Sequence, residues 1–140
     1  MAPVARSLDL KGIWLFSNCS ESERKKVRRL LTDARVAEGE WLVGEGEMGA
    51  YLFVIVNGRA EVRRNGRTVA ELGAGDHFGE LSLLDRRPRS ASVVCMTDVE
   101  IVLLSRRDFD RLLDTVPAIA RKVMRSMAAR LRESDDRVYA

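Results

Sequence analysis

The chain has one histidine, His77, and two cysteines, Cys19 and Cys95, in 140 residues. Three or four imidazole and thiolate ligands cannot be assembled from that stock, which excludes zinc centres and the histidine clusters of metal-dependent cupins. With one imidazole, no Gly-x-Ser-x-Gly elbow and no Walker loop, the sequence also offers no nucleophile, base and acid set and no metal cluster for phosphodiester hydrolysis. The residues read as a binding module and not an enzyme, with no metal or cofactor implied. No apolar run reaches membrane-spanning length, and Met1 to Leu10 lacks the apolar centre of a signal peptide, so a cytoplasmic location without a membrane segment is expected. Excess charge is small as well, with 24 Lys and Arg against 21 Asp and Glu and a net charge of +3. That balance calls for no nucleic-acid contact within this chain.

What is present suits one domain. With 46% hydrophobic residues the chain can close a single core, whereas two would be unusually small. Three segments follow one another within it: an N-terminal helical segment (1–34), a run of short strands (35–104) and C-terminal helices (105–140). Ser20-Glu21-Ser22-Glu23 offers a capping box ahead of a helix carrying Val27, Leu30 and Leu31 on one side. The basic run on that helix, Arg24 to Arg29, reads as a solvated face. Period-two patterning then predicts strands at Trp41 to Val43, Tyr51 to Val56, Ala60 to Val62, Thr68 to Ala70, Ala91 to Met96 and Val99 to Leu104. Gly44-Glu45-Gly46-Glu47, Asn57-Gly58, Asn65-Gly66 and Gly73-Ala74-Gly75-Asp76 punctuate them, and the Asn-Gly pairs suit tight hairpins. The pattern implies a mainly β fold with flanking helices, an antiparallel barrel or jelly roll.

Residues 78 to 93, Phe-Gly-Glu-Leu-Ser-Leu-Leu-Asp-Arg-Arg-Pro-Arg-Ser-Ala-Ser-Val, carry the chemistry. Gly79 marks a strand-to-helix turn that lets a ligand approach the backbone, and the amides of Glu80, Leu81 and Ser82 at a helix start suit an anion. Arg89 can fork onto phosphate oxygens, whereas Glu80 can only accept, as a sugar hydroxyl requires. A ligand with one hydroxyl and one singly charged phosphate satisfies the set. Arg89 and these amides are expected at the surface, where they are cheap to leave unoccupied.

This segment resembles the phosphate-binding cassette of the cyclic nucleotide-binding domain family, which includes catabolite activator protein, the regulatory subunits of cyclic-AMP-dependent kinase and cyclic-nucleotide-gated channels. Phe78-Gly79-Glu80, the apolar turn and Pro88-Arg89-Ser90-Ala91-Ser92-Val93 occur in order, and the likeness runs from about Leu10 to Arg137. The resemblance implies an antiparallel β-roll with N-terminal helices, a short cassette helix and a long C-terminal helix. It implies that Glu80 holds the ribose 2′-hydroxyl, that Arg89 takes the exocyclic phosphate oxygens, and that Ser90 adds its amide and hydroxyl beside Ala91. Val62 and Val69 are the strand positions for the base. Cyclic AMP is the expected ligand, with cyclic GMP as an alternative, and a ligand-free interaction module of the same fold is the competing class.

Beyond the strands, Ser105 and Asp108 can cap a helix containing Phe109, Leu112 and Leu113, and Pro117 opens a longer one. Its stripe of Val116, Ile119, Ala120, Val123, Met124, Met127, Ala128 and Leu131 is wider than one roll face needs. Half of it suits a homodimer through the C-terminal helix, with Ala120 and Ala128 allowing close approach. In the resemblance this helix moves on ligand binding, with Met124, Met127 and Leu131 as a soft lid, and Asp135 falls where the helix reaches the base. No DNA-binding, second nucleotide-binding or membrane segment is read within these 140 residues, which are either a stand-alone receptor or the sensory part of a larger protein.

Overall fold

The computed structural model describes residues 8–134. Two 3-10 turns, Leu10–Gly12 and Trp14–Phe16, lead into helix α1 (Glu21–Leu30). The α1 start is the capping box expected from Ser20 and Glu23, with each side chain bonded to the other's backbone amide. Strands β1 (Thr32–Val36), β2 (Trp41–Val43), β3 (Tyr51–Asn57), β4 (Ala60–Arg64), β5 (Arg67–Leu72) and β6 (His77–Phe78) follow. The short helix α2 (Glu80–Asp85) separates them from β7 (Ser92–Cys95) and β8 (Val99–Ser105). Helices α3 (Arg106–Thr115) and α4 (Pro117–Ser134) close the described chain, and α3 begins as expected with the Ser105 hydroxyl accepting from the Asp108 amide.

The strands form two antiparallel four-stranded sheets, ordered β1-β8-β3-β6 and β2-β7-β4-β5. Residues alternate faces along a strand, and in β3 and β8 both faces are covered. Phe53, Ile55, Val99 and Ile101 pack between the sheets with Phe78, Ala60, Val93 and Cys95. Their neighbours Leu52, Val54, Val102 and Leu104 point the other way, onto Leu10, Leu15, Phe16, Val27, Phe109, Leu112, Ile119 and Val123. Double coverage explains why these two strands are nearly continuous apolar runs. The fold is the mainly β roll with flanking helices that the sequence implies.

Two local features depart from the sequence reading. β1 begins at Thr32, inside the segment assigned to N-terminal helices, because Leu31 is already extended and the strand pairs with β8 from Thr32↔Leu103 to Val36↔Val99. The start of the chain's described part is 3-10, with Leu10, Ile13, Leu15 and Phe16 buried. On α4 only the first half is packed: Ile119 and Val123 are buried, as is Val116 just before the helix, whereas Met124 is 63% exposed and Leu131 is exposed too.

Candidate functional site

Gly79 joins β6 to α2 in the left-handed region, with φ 97° and ψ −3°. A Cβ there would lie 2.7 Å from Arg89 Nη1 and 3.0 Å from the Tyr51 carbonyl oxygen, so only glycine fits without displacement. The cramped spot exists because Arg89 folds back onto the turn. Its Nη1 donates to the Gly79 carbonyl at 2.7 Å, its Nη2 donates to the Tyr51 carbonyl at 2.8 Å, and its Cζ lies 5.7 Å from the Phe53 ring centroid.

The backbone of Arg89 is fixed as well. Its amide donates to Glu47 O at 2.7 Å and its carbonyl accepts from Gly46 N at 2.9 Å, which is the use of the glycine-rich loop before β3. Ser82 ties the same loop to the cassette, its hydroxyl donating to Arg87 O at 2.6 Å and accepting from Gly49 N at 3.2 Å. The Gly49 carbonyl in turn accepts from Arg106 Nη2 at the start of α3. Arg89 is therefore 7% exposed, correcting the expectation of a surface arginine. Burial pulls its pKa below the ordinary arginine value, Glu80 works against that, Arg106 adds to it, and Glu47 opposes it. The correction is physical: the Gly79 carbonyl of the turn, with the Tyr51 carbonyl and Phe53 ring of β3, replaces water around the guanidinium, and spacing alone carries no sign of the β3 groups.

Glu80 is the most unusual group in the molecule. It is 0% exposed, yet neither carboxylate oxygen accepts a hydrogen bond. Arg130 of α4 brings Nη2 to 2.9 Å from Oε1, an ion contact whose angles fall outside hydrogen-bond geometry, and His77 Nε2 stands 3.9 Å from the same oxygen. Buried carboxylates are normally hydrogen-bonded, so open acceptor positions here suit a donor brought by a ligand.

The other expected residues fall out differently. Phe78 is buried and stacks on Phe53, with centroids 4.8 Å apart. Leu81 is exposed, and Ser82 is buried with its hydroxyl committed to the loop contacts above. No side chain caps α2. Ser90 is exposed, its carbonyl accepting from Arg64 Nε at 3.2 Å, and Ala91 is half-buried. Val62 packs against the inter-sheet core in register with Ala70 and Val93. Val69 sits where the β4 and β5 register shifts and is 52% exposed. Asp135 lies outside the described residues. Gly79, Glu80, Ser82 and Arg89 are thus brought together. Gly49, Tyr51, Arg64 and Arg130 join them through contacts that the sequence did not announce. Among the described residues, no three His, Cys, Asp or Glu side chains are grouped to hold a metal, and no helix is long and apolar enough to cross a membrane.

Residues 34–116 match the family described as the cyclic nucleotide-binding domain. A cAMP-dependent protein kinase regulatory subunit of Aspergillus niger is 36% identical over 115 residues, 81% of this chain and 28% of that protein. A cyclic AMP receptor protein of Thermus thermophilus is 33% identical over 131 residues, 90% of this chain and 61% of that protein. The crystal structure of Thermus thermophilus catabolite activator protein superposes with a TM-score of 0.81 at 33% identity, covering 87% of this chain and 60% of that one. The chain spans less than two thirds of the length of each of these relatives.

Proposed function

The chain belongs to the cyclic nucleotide-binding domain family, and from that premise we propose that it binds a cyclic nucleotide, cyclic AMP ahead of cyclic GMP, as a regulatory module. The observation that carries the reading is Glu80, a fully buried carboxylate whose oxygens accept no hydrogen bond, set one loop away from a buried arginine. The ribose 2′-hydroxyl donates to Glu80. The phosphate takes donors of Arg89, which has five N-H groups and gives two of them to Gly79 and Tyr51, leaving three without breaking that scaffold. Ser90, exposed beside Arg89, adds its hydroxyl and amide. Val62 and the rim residue Val69 are the strand positions for the base.

Occupancy is read out by α4. A ribose hydroxyl arriving at Glu80 meets the carboxylate that Arg130 already contacts, so ligand and helix share one group. Cyclic AMP is preferred because the relatives named above are a cAMP-dependent kinase subunit and a cyclic AMP receptor protein. The outer face of α4, with Met124 and Ala128 exposed, is the surface for a homodimer. Free, buried Cys19 and Cys95 suit the reducing cytoplasm. In this reading the module catalyses nothing and touches no nucleic acid itself.

A melting screen against cyclic AMP, cyclic GMP, their linear monophosphates and 2′-deoxy cyclic AMP tests the proposal. A ligand at one hundred times its dissociation constant stabilises the fold by about 2.7 kcal/mol. The melting temperature should rise with the cyclic ribonucleotides and rise less with the deoxy analogue, and Glu80→Gln should erase that difference. No rise with any cyclic nucleotide would favour the ligand-free interaction module instead.

A further inference from the structure

Glu80 has a second neighbour besides Arg130. His77, on β6, has a side chain nine-tenths buried, and its Nε2 finds no hydrogen-bond partner although Glu80 Oε1 is 3.9 Å away. The imidazole lies flat on the indole of Trp14, with centroids 5.9 Å apart and planes 3° apart. Over the Trp14 ring sits Lys122 Nζ, 4.3 Å from the centroid, on a lysine that is only 6% exposed. A continuous stack thus runs from α4 through the 3-10 turn to β6 and ends at the carboxylate. Parallel to the indole, the imidazole has its Nε2 edge on the Glu80 side.

At 3.9 Å a neutral imidazole makes no hydrogen bond to Glu80, but a single proton converts the gap into a cation facing an anion. The charges facing the ring are Glu80 and its own neighbour Asp76, which favour the cation, and Arg130 of α4, which opposes it. Lys122, from α4, faces the other ring of the stack, the indole. Burial outweighs these charges and holds the His77 pKa below its ordinary 6.5, so the ring is neutral at physiological pH.

We infer that His77 is a positioning residue for the sugar contact. Neutral, it flanks the Glu80 carboxylate and leaves its acceptor positions to a ribose 2′-hydroxyl. Protonated, it takes Oε1 for itself, and cyclic nucleotide affinity falls. The inference rests on the cyclic nucleotide reading above and adds to it a pH response routed through one residue and one hydroxyl of the ligand. By reciprocity, a ligand that binds the protonated form less well must push the His77 titration to lower pH.

The test uses the whole chain and two probes, cyclic AMP and its 2′-deoxy analogue, titrated by calorimetry from about pH 8 to about pH 5, the range in which histidine changes charge. Cyclic AMP affinity should fall about tenfold as His77 protonates, the scale of one hydrogen bond to a charged group. The step should be missing for the deoxy analogue and missing in His77→Gln, which cannot take the proton. Because His77 is the chain's sole histidine, its imidazole NMR signal needs no assignment. Cyclic AMP should move its midpoint to lower pH and the deoxy analogue should not, a measurement on wild type that stands even if the variant misfolds. An equal step for both ligands, or an unmoved midpoint with cyclic AMP bound, overturns the role of His77 while leaving the cyclic nucleotide reading intact. No binding of cyclic AMP at any pH removes both.

Discussion

Replacing Gly79 with alanine tests how the cassette is built. Two costs add at this position. A non-glycine residue in the left-handed region costs about 1–2 kcal/mol. The new Cβ would also stand 2.7 Å from Arg89 Nη1, so the guanidinium must withdraw from the Gly79 carbonyl, giving up a charge-assisted bond worth about 1.5–3 kcal/mol. Together they amount to roughly 3–5 kcal/mol, and for a domain of this size each kcal/mol moves the melting point by about 3–5 °C. Gly79→Ala should therefore melt about 10 °C or more below wild type. Gly75→Ala is the control, since it has φ 91° but its nearest contact would be 3.8 Å away, leaving the backbone term alone and a fall of about 5 °C. Gly49→Ala crowds the site with no left-handed backbone, its Cβ 2.5 Å from Ser82 Oγ and 3.0 Å from Arg89 Cζ, so it disturbs Ser82 as well as Arg89. Scanning calorimetry of the three variants decides. If Gly79→Ala melts no lower than Gly75→Ala, Arg89 does not occupy the turn and its role as scaffold is wrong.

Arg89→Leu removes the donors from two carbonyls at once, and leaving a buried acceptor unpaired costs about 1–3 kcal/mol each. It should lower stability by several kcal/mol as well as cyclic nucleotide affinity by at least about tenfold, so affinity must be measured where denaturation shows the variant folded; unchanged affinity there would remove Arg89 from the ligand site. Asp135→Ala should weaken cyclic GMP more than cyclic AMP by about 1 kcal/mol, because a carboxylate takes two hydrogen bonds from guanine and one from adenine; calorimetric titrations that move in parallel would refute the contact. Stability should also respond to pH through His77. Its folded pKa is depressed, so its contribution is complete above the unfolded value near 6.5 and is lost as pH falls toward the folded one. Urea titrations should show that loss in wild type and a flatter profile in His77→Gln, and identical profiles would count against a neutral buried His77.

The parts legible in the sequence are those whose cause is local. Ser20 with Glu23, Ser105 with Asp108 and Pro117 each mark a helix start within a few residues, and all three helices begin there. Gly79-Glu80 through Arg89 could be read as a unit because the chemistry lies within one loop. The burial of Arg89 could not, since it depends on Tyr51, Phe53 and Gly49 from another strand and loop. β1 is absent from the strands read in the sequence because Thr32 to Val36 has no strong alternation and is a strand by virtue of β8. Arg130 and Lys122 lie off the apolar stripe of α4, and only the three-dimensional path of that helix brings one to Glu80 and the other over Trp14. Trp14 itself lies in 3-10 turns, whose short pitch leaves no apolar period to detect.

Should α4 move on ligand binding, as proposed, its uneven packing puts the pivot near Val123. Near its start Ile119 and Val123 are set into the core; downstream, Arg130 makes an ion contact with Glu80. Val123 and Arg130 are separated by about 10 Å of helix at roughly 1.5 Å per residue, so a tilt of about 10° carries the guanidinium roughly 2 Å. That displacement opens the 2.9 Å contact entirely while barely disturbing the packed end. On the proposed reading, a hydroxyl-sized event at one carboxylate is thereby matched in scale to a rotation that parts Arg130 from Glu80.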